Sequence, residues 1–236
     1  MKKIFILIYV VILSVHLYAG SREYTEIAFF TKPALLISLI VFFLIDTNRK
    51  GSAKFRNLIL LGLIFSLGGD VFLMFQGIDS GYFIAGLVSF LMAHIFYVWA
   101  FTITYLNNHV VPLIKRQGWV MILILAYGIL FFRAIKDDVG SLIVPVFLYT
   151  TVITLMLLMA VNRQGRVGLQ SFWLIAIGAA LFVASDSFLA WNKFVEPLPE
   201  SHFLVMSTYG LAQLFIVMGS VNQIQQVADK MIKIHG

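Results

Sequence analysis

The chain has no cysteine and little charge, and both shortages narrow what it can be. Without cysteine it can form no disulfide, use no thiolate nucleophile and bind no metal through sulfur. Charged residues make up only 12% of the 236 residues, against 61% apolar residues. That charged share is about half of the usual value for a globular protein. A soluble domain of this size cannot bury so much apolar surface, so the excess must face lipid.

Basic runs interleaved with polar surface are also missing, although the net charge is +6. The positive charge lies in short gaps between apolar stretches, which indicates membrane topology and not nucleic-acid binding. A helix needs about 20 mostly apolar residues to cross a bilayer. We predict eight such spans, at 3–20, 27–45, 58–75, 82–106, 111–132, 141–161, 170–191 and 202–222. The sequence therefore predicts an all-α, polytopic bundle of eight transmembrane helices, in a single domain over residues 1–236.

The distribution of Lys and Arg predicts the orientation of this bundle. Eight spans put both chain ends on one side, and that side holds twelve basic residues against four on the other. The positive-inside rule then predicts cytoplasmic termini, in a bacterial-type inner membrane. The twelve are Lys2, Lys3, Arg49, Lys50, Lys54, Arg56, Lys115, Arg116, Arg163, Arg166, Lys230 and Lys233, and the four are Arg22, Arg133, Lys136 and Lys193.

The first span also has features of a signal peptide, because two lysines precede a short apolar run. Leu17 is large for the third position before a cleavage site, so we expect a retained span. Removal of this segment is the alternative, and it would leave seven spans.

Four ionisable residues lie at membrane depth, where such groups are costly and by default mark a functional site. They are Lys32, Asp70, His94 and Asp186. The alternatives are that Lys32 only extends to the interface, that the aspartates are structural and pair with Lys32 or cap broken backbone, and that His94 bonds between helices.

The third and seventh spans share a register. Gly62 and Gly178 each stand eight residues before an aspartate, Asp70 or Asp186, so the two segments match at an offset of 116. In each span the glycine and the aspartate lie on one helix face. Small residues on that face allow another helix to approach closely, so we expect both aspartates to point inward. The match suggests two four-span halves related by a parallel repeat, and a chance match in a chain rich in Phe and Leu is the alternative.

Residue counts along the spans place several polar groups in the outer half of the membrane, at ~1.5 Å per residue. His94 lies nearer the middle, one turn from Tyr97. The groups that share the outer level are Lys32, Asp70, Asp186, Tyr209 and Gln213.

Several hydrolase designs are absent from the sequence. It contains no Gly-x-Ser-x-Gly elbow, no His-Glu-x-x-His or similar zinc spacing and no phosphate loop, so it indicates no metal site and no cofactor. A pair of inward carboxyls remains. Desolvation and like charge oppose the ionisation of both, so we expect one of them to hold its proton. Such a pair suits general acid–base hydrolysis through a cation-like transition state, and it equally suits a proton-coupled carrier.

The motifs around these residues resemble those of the lysoplasmalogenase-like (YhhN / TMEM86) family of integral membrane proteins. The resemblance covers the chain from the second span to the eighth. It rests on the stretch 65–74, Phe83-x-x-Gly86-x-x-x-Phe90-x-x-x-His94-x-x-Tyr97, the segment 178–190 with Ser185-Asp186, the Lys32-Pro33 pair and Tyr209-x-x-Ala212-Gln213.

The resemblance implies an ether hydrolase that cleaves the vinyl ether bond of lysoplasmalogens, with a lysophospholipid as substrate and the bilayer as its surroundings. It implies Asp70 and Asp186 as the catalytic pair. Lys32 would then hold the phosphate as a point charge. The other expected substrate-binding residues are Ser66, His94, Tyr97, Ser185, Tyr209 and Gln213. A carrier of a small amphiphile or ion remains the alternative, as does a structural or regulatory membrane subunit, and the sequence leaves the oligomeric state open.

Overall fold

The computed structural model describes residues 2–48, 53–103, 106 and 109–235, and these ranges contain helices and no strand. Eight of the helices are long and apolar enough to cross a membrane, which confirms the predicted all-α polytopic bundle. Arg49, Lys50 and residues 104–105 of the predicted fourth span lie outside the described ranges. In chain order the helices are α1 (Lys2–Ser21), α2 (Thr25–Asp46), α3 (Ala53–Met74), α4 (Ser80–Ile103), α5 (Gly118–Ile135), α6 (Ile143–Val161), α7 (Leu169–Phe194) and α8 (Ser201–His235).

The fifth predicted span, 111–132, was wrong at its start, because the long helix α5 begins only at Gly118. A separate short turn, Leu113–Arg116, precedes it. This turn is tied to the α6–α7 connection, since the N–H of Ile114 donates to Asn162 (3.2 Å) and Arg116 donates to Gln164 (3.2 Å). These polar bonds keep the first residues of the predicted span in a polar layer, and the apolar run that can cross lipid starts after them.

Both chain ends lie at one end of the bundle. Lys2 Nζ donates to Gln225 Oε1 of α8 at 2.7 Å, and Gln225 Nε2 donates to Asp46 Oδ2 at 2.5 Å. The start of α1, the end of α2 and the last part of α8 therefore meet there. We call this the terminal end of the bundle and the other the far end.

Several helix pairs correspond between the two halves of the chain. The most extensive packing joins α3 to α4 and α7 to α8, and the pairs α2–α3 and α6–α7 also correspond. Glycine makes the close approaches: a Cβ on Gly62 would clash with the ring of Tyr97 of α4, and a Cβ on Gly178 would lie 2.9 Å from the carbonyl oxygen of Ala212 of α8. The pairing thus agrees with two halves of like architecture.

Burial differs strongly among the helices. The face of α3 that carries Gly62, Ser66, Gly69, Asp70 and Leu73 is buried, as the helical spacing predicted. Helix α8 is the most buried of the eight spans and α5 the least. The interior is therefore built around α3, α4, α7 and α8, with α5 at the edge.

Candidate active site

A polar cavity of about 240 Å³ opens near the far end of the bundle, between α2, α3, α4, α7 and α8. Apolar walls from Leu73, Phe90 and Leu189 flank its polar groups. The cavity brings together five of the nine predicted site residues, which are Lys32, Asp70, Ser185, Asp186 and Tyr209.

Asp70 of α3 is almost fully buried and has a cation and a hydroxyl as partners. The ammonium of Lys32, from α2, lies 3.7 Å from Asp70 Oδ1. The hydroxyl of Tyr209, from α8, donates to Asp70 Oδ2 at 2.7 Å. Pro33 follows Lys32 and has no backbone N–H, so it frees the carbonyl one turn earlier in α2. The pairing of Asp70 with Lys32 is therefore present, and Lys32 also lines the cavity.

Asp186 of α7 has different partners. The hydroxyl of Tyr149, from α6, donates to its Oδ2 at 2.5 Å, and His94 Nε2, from α4, lies 3.7 Å from the same oxygen. In the part of the chain that the structure describes, Asp186 Oδ1 receives no hydrogen bond. Asp186 is 12% exposed, against 2% for Asp70, so it is the more open of the two carboxyls.

His94 is fully buried beside Asp186. Its ring packs edge-on against Tyr149 (5.2 Å between ring centroids) and Phe182 (4.7 Å). Neither ring nitrogen has a hydrogen-bond partner among the described residues. His94 therefore lies behind the carboxyl and not on the cavity wall.

Tyr97, Gln213 and Ser66 form a second buried layer below the cavity. The Tyr97 hydroxyl donates to Gln213 Oε1 at 2.9 Å, and both side chains are fully buried. Ser66 is fully buried next to Tyr97. These two hydrogen-bonded positions differ by 116 residues, the same offset that relates the two aspartates. They therefore meet where the two halves face each other.

Ser185 precedes Asp186 on α7 and lines the cavity. Its hydroxyl donates to the carbonyl oxygen of Val205 of α8 at 3.0 Å, which ties α7 to α8 beside the site. This hydroxyl is therefore engaged in helix packing.

Sequence reasoning missed Tyr149 and the polar groups at the cavity mouth. A tyrosine in an apolar span is hard to separate from lipid-facing aromatics, but the offset of 116 offered a signal, because it aligns Tyr149 with Pro33, next to Lys32. At the mouth, Gln76, Asn192 and His202 line the cavity. Their positions at helix ends resemble solvated loop residues in the sequence, so no pattern singled them out.

A second cavity, narrow and apolar, adjoins the first. Its volume is about 50 Å³, and it lies between α4, α5, α6 and α7, with Leu73 of α3 at its edge. The two cavities share Leu73, Phe90, Asp186 and Leu189 as wall residues. We call the narrow one the apolar slot. An amphiphile placed across both would have its polar part near Lys32 and its apolar part in the slot.

The arrangement permits acid–base chemistry. Two carboxyls with different partners face one cavity. In a buried site, a carboxylate can stabilise a positive charge that develops on a bound molecule more strongly than it could in water. Within the described ranges, no group of three or more His, Asp or Glu side chains is placed to hold a metal ion.

Comparison with known proteins places these residues within a family match. The YhhN family matches residues 27–220, a range that contains all nine predicted site residues. No solved structure matches the chain significantly.

Curated relatives carry one recurring name. Lysoplasmalogenase TMEM86A of Bos taurus is 34% identical over 176 residues, which cover 72% of this chain and 68% of the relative. Lysoplasmalogenase TMEM86B of Homo sapiens is 31% identical over 170 residues, 72% of this chain and 66% of the relative. Lysoplasmalogenase TMEM86B of Sus scrofa is 33% identical over 193 residues, 80% of this chain and 72% of the relative.

Proposed function

The chain belongs to the YhhN family, and from this premise we propose that it is a lysoplasmalogenase. As an ether hydrolase it would cleave the vinyl ether bond of alkenyl lysophospholipids. The products would be a fatty aldehyde and glycerophosphoethanolamine or glycerophosphocholine. The observation that carries the proposal is that Asp70 and Asp186 line one cavity in a chain whose relatives bear this name.

The two carboxyls divide the reaction between them. One donates its proton to the outer alkene carbon, and the alkene electron pair forms the new C–H bond. The oxocarbenium ion that results is stabilised by the other carboxylate, which also directs water. Water adds to the cationic carbon and returns its surplus proton to the carboxylate that gave one. The hemiacetal then passes its hydroxyl proton to the ether oxygen as the C–O bond breaks, which gives aldehyde and alcohol.

The remaining residues of the site bind and orient the substrate in this proposal. Lys32 attracts the phosphate, because its ammonium is at the cavity wall and keeps donors beyond its contact with Asp70. Tyr209 orients glycerol oxygens or water inside the cavity. The other four expected residues, Ser66, His94, Tyr97 and Gln213, support the cavity from behind, and Ser185 holds α7 against α8.

We also propose the orientation in the membrane. The twelve-to-four distribution of basic residues supports cytoplasmic termini in a bacterial-type inner membrane. The far-end cavity would then face the outer leaflet, where a single-chain lipid can enter. Reporter fusions at both chain ends test this orientation. Reporters on opposite sides of the membrane would contradict it.

The decisive experiment supplies the purified protein with alkenyl and acyl lysolipids of matched chain length. Aldehyde released from the alkenyl lipid alone supports the enzyme. Uptake into vesicles without turnover supports the alternative, a proton-coupled carrier that uses the same carboxylates. Unchanged activity in a variant that carries both Asp70→Asn and Asp186→Asn would contradict the acid–base proposal.

A further inference from the structure

The apolar slot has walls suited to a hydrocarbon chain. They consist of aliphatic and aromatic side chains from five helices, and Tyr149, Thr150, Thr154 and Ser187 are among the few polar side chains that contribute. The slot extends along α7 from Phe194, near the far end, past Asp186 to Val183, and its inner end reaches Ile153 toward the middle of the bundle. Val183 stands one helical turn before Asp186 on α7, on the side nearer the terminal end.

Asp186 is the one acidic residue shared by the two cavities in the described part of the chain. Asp70 lines the polar cavity alone. In a lysoplasmalogen the vinyl ether bond joins the polar glycerol part to the hydrocarbon chain. A lipid with its headgroup in the polar cavity and its chain in the slot has that bond at the junction, next to Asp186.

We propose that the apolar slot binds the hydrocarbon chain of a single-chain ether lipid and that Asp186 is the proton donor. This inference rests on the proposed function for its reaction, though not for its binding site. Asp70 is the stabilising carboxylate, because a carboxylate in an ion pair with Lys32 has no proton to give. Asp186 has no Lys or Arg partner in the described ranges, and its Oδ1 is left open to the substrate.

The proton balance assigns each atom. The O–H bond of Asp186 breaks as the C–H bond forms on the outer alkene carbon, and Asp186 becomes a carboxylate. Water that adds to the oxocarbenium carbon gives its surplus proton back to Asp186. The acid is thereby restored for the next turnover, and no co-reactant other than water is consumed.

The slot must widen to take a long chain, and α5 is the wall that can move. A space of about 50 Å³ is far smaller than a fatty chain. Helix α5 is the least buried span, with Gly128 and Ile135 as its buried residues. Thr150 and Thr154 of α6 line both the slot and a groove of about 280 Å³ between α5 and α6. The hydrocarbon chain would therefore enter the slot sideways, between α5 and α6.

Chain-length dependence tests the slot. Ile153→Phe fills its inner end, since Ile153 is buried and lines the slot. The matched control is Ile177→Phe, on a lipid-exposed face of α7. The probes are saturated alkyl ether lysolipids, which lack the vinyl group and cannot be hydrolysed, with butyl or hexadecyl chains. Binding is measured by the thermal stabilisation that each lipid gives to the purified protein.

We expect Ile153→Phe to weaken hexadecyl binding about tenfold, the loss that follows when about two methylenes lose apolar contact. Butyl binding and the Ile177→Phe control should stay near wild type. Ile153→Ala enlarges the same end, so it should favour a chain branched at its tip, and it keeps the test open if the phenylalanine variant does not fold. An equal loss of binding for the butyl and hexadecyl lipids, or unchanged lipid binding in both Ile153 variants, would overturn the proposal that the slot binds the chain.

The same variants separate this inference from the proposed function. If wild-type protein releases aldehyde but Ile153→Phe shows no chain-length effect, the slot fails and the enzyme stands. If wild-type protein releases no aldehyde while Ile153→Phe still discriminates between the saturated probes, the slot stands and the lysoplasmalogenase proposal fails.

Discussion

The two carboxyls occupy equivalent places in the two halves of the bundle, yet their surroundings differ. Each is met by one side chain from the preceding helix and one from the last helix of the other half. For Asp70 these are Lys32 and Tyr209. For Asp186 they are Tyr149 and His94. The two sets of partners are placed alike, but their charge differs: each carboxyl has a tyrosine, and the second partner is a lysine at Asp70 and an imidazole at Asp186.

The shared register thus accounts for where the two carboxyls lie, and the individual partner residues determine the charge around each one. In our proposal the ammonium beside Asp70 favours its anionic form, and Asp186, with no Lys or Arg partner in the described ranges, keeps a proton. Two sites with identical partners would compete for the same role. The contrast between the two carboxyls is therefore the feature to test.

The largest expected effect is that of Asp186→Asn. An amide cannot act as the acid, so kcat should fall by about 10²- to 10⁴-fold. Binding of a saturated ether lysolipid and thermal stability should stay close to wild type, because no cation loses its counter-ion. Steady-state kinetics and a thermal melt in the same detergent check both. Near-normal kcat would remove Asp186 from the chemistry.

Asp70→Asn should differ from Asp186→Asn in stability. It removes the stabilising carboxylate, so kcat should fall by about 10²-fold or more. It also leaves the Lys32 ammonium, which is 17% exposed, without its counter-ion. We expect a lower melting temperature for this variant alone. Equal melting temperatures for the two asparagine variants would break the contrast.

Lys32→Met tests the ion pair from its other side. Loss of one partner leaves the buried Asp70 charge uncompensated, which costs about 3 kcal/mol in comparable pairs. We also expect a higher KM, because the phosphate loses its point charge in ground and transition states alike. The double variant Lys32→Met/Asp70→Asn should recover stability without recovering activity. An unchanged KM in Lys32→Met would count against the phosphate contact.

The two tyrosines form a matched pair with a smaller effect. Tyr149→Phe and Tyr209→Phe each remove one O–H that donates to a carboxyl, at 2.5 and 2.7 Å. At Asp70 this bond is to a carboxylate, and at Asp186 it becomes one as the proton leaves in the proposed step. A hydrogen bond to a charged group contributes about 1.5–3 kcal/mol, so each variant should lose about tenfold to hundredfold in kcat/KM. We expect Tyr149→Phe to alter the dependence of kcat on pH more than Tyr209→Phe does. Identical profiles for both variants would argue against separate roles.

The glycines of the repeat give the smallest expected effect. Gly62→Ala forces the Tyr97 ring to shift, and Gly178→Ala presses on the Ala212 carbonyl oxygen. Overpacking of this kind costs about 1–3 kcal/mol. Gly77→Ala is the control, because a Cβ there meets no atom within 4 Å. Denaturation in mixed micelles measures all three, and equal stability of Gly62→Ala and the control would contradict the close packing of α3 on α4.

The apolar pattern predicted the number of membrane-spanning helices, because a helix that crosses a bilayer needs a length and a hydrophobicity that can be read from the sequence. Its failure at the fifth span has a physical cause. Bonds from Ile114 and Arg116 to the α6–α7 connection hold the residues before Gly118 outside the long helix. Such tertiary contacts leave no mark on a hydropathy pattern.

The convergence of Lys32, Asp70 and Asp186 on one cavity was predictable, because each is an ionisable side chain in an apolar span. The sequence could not separate the cavity wall from the layer behind it, so Gln213 and Tyr97 were grouped with Tyr209. Periodicity gives a face of one helix. It gives neither the partner across the gap nor the direction of a hydroxyl, and Tyr149 was missed for that reason.

The shared wall between the polar cavity and the apolar slot has a consequence for what happens after cleavage. A bond broken at that wall would yield one fragment that is soluble in lipid and one that is soluble in water. With the chain bound as we propose, the aldehyde would remain in the slot and leave sideways into hydrocarbon, while the phosphodiester would leave through the mouth into water. Because one product enters lipid and the other enters water, the two would not meet again, and the placement of the two cavities would disfavour the reverse reaction.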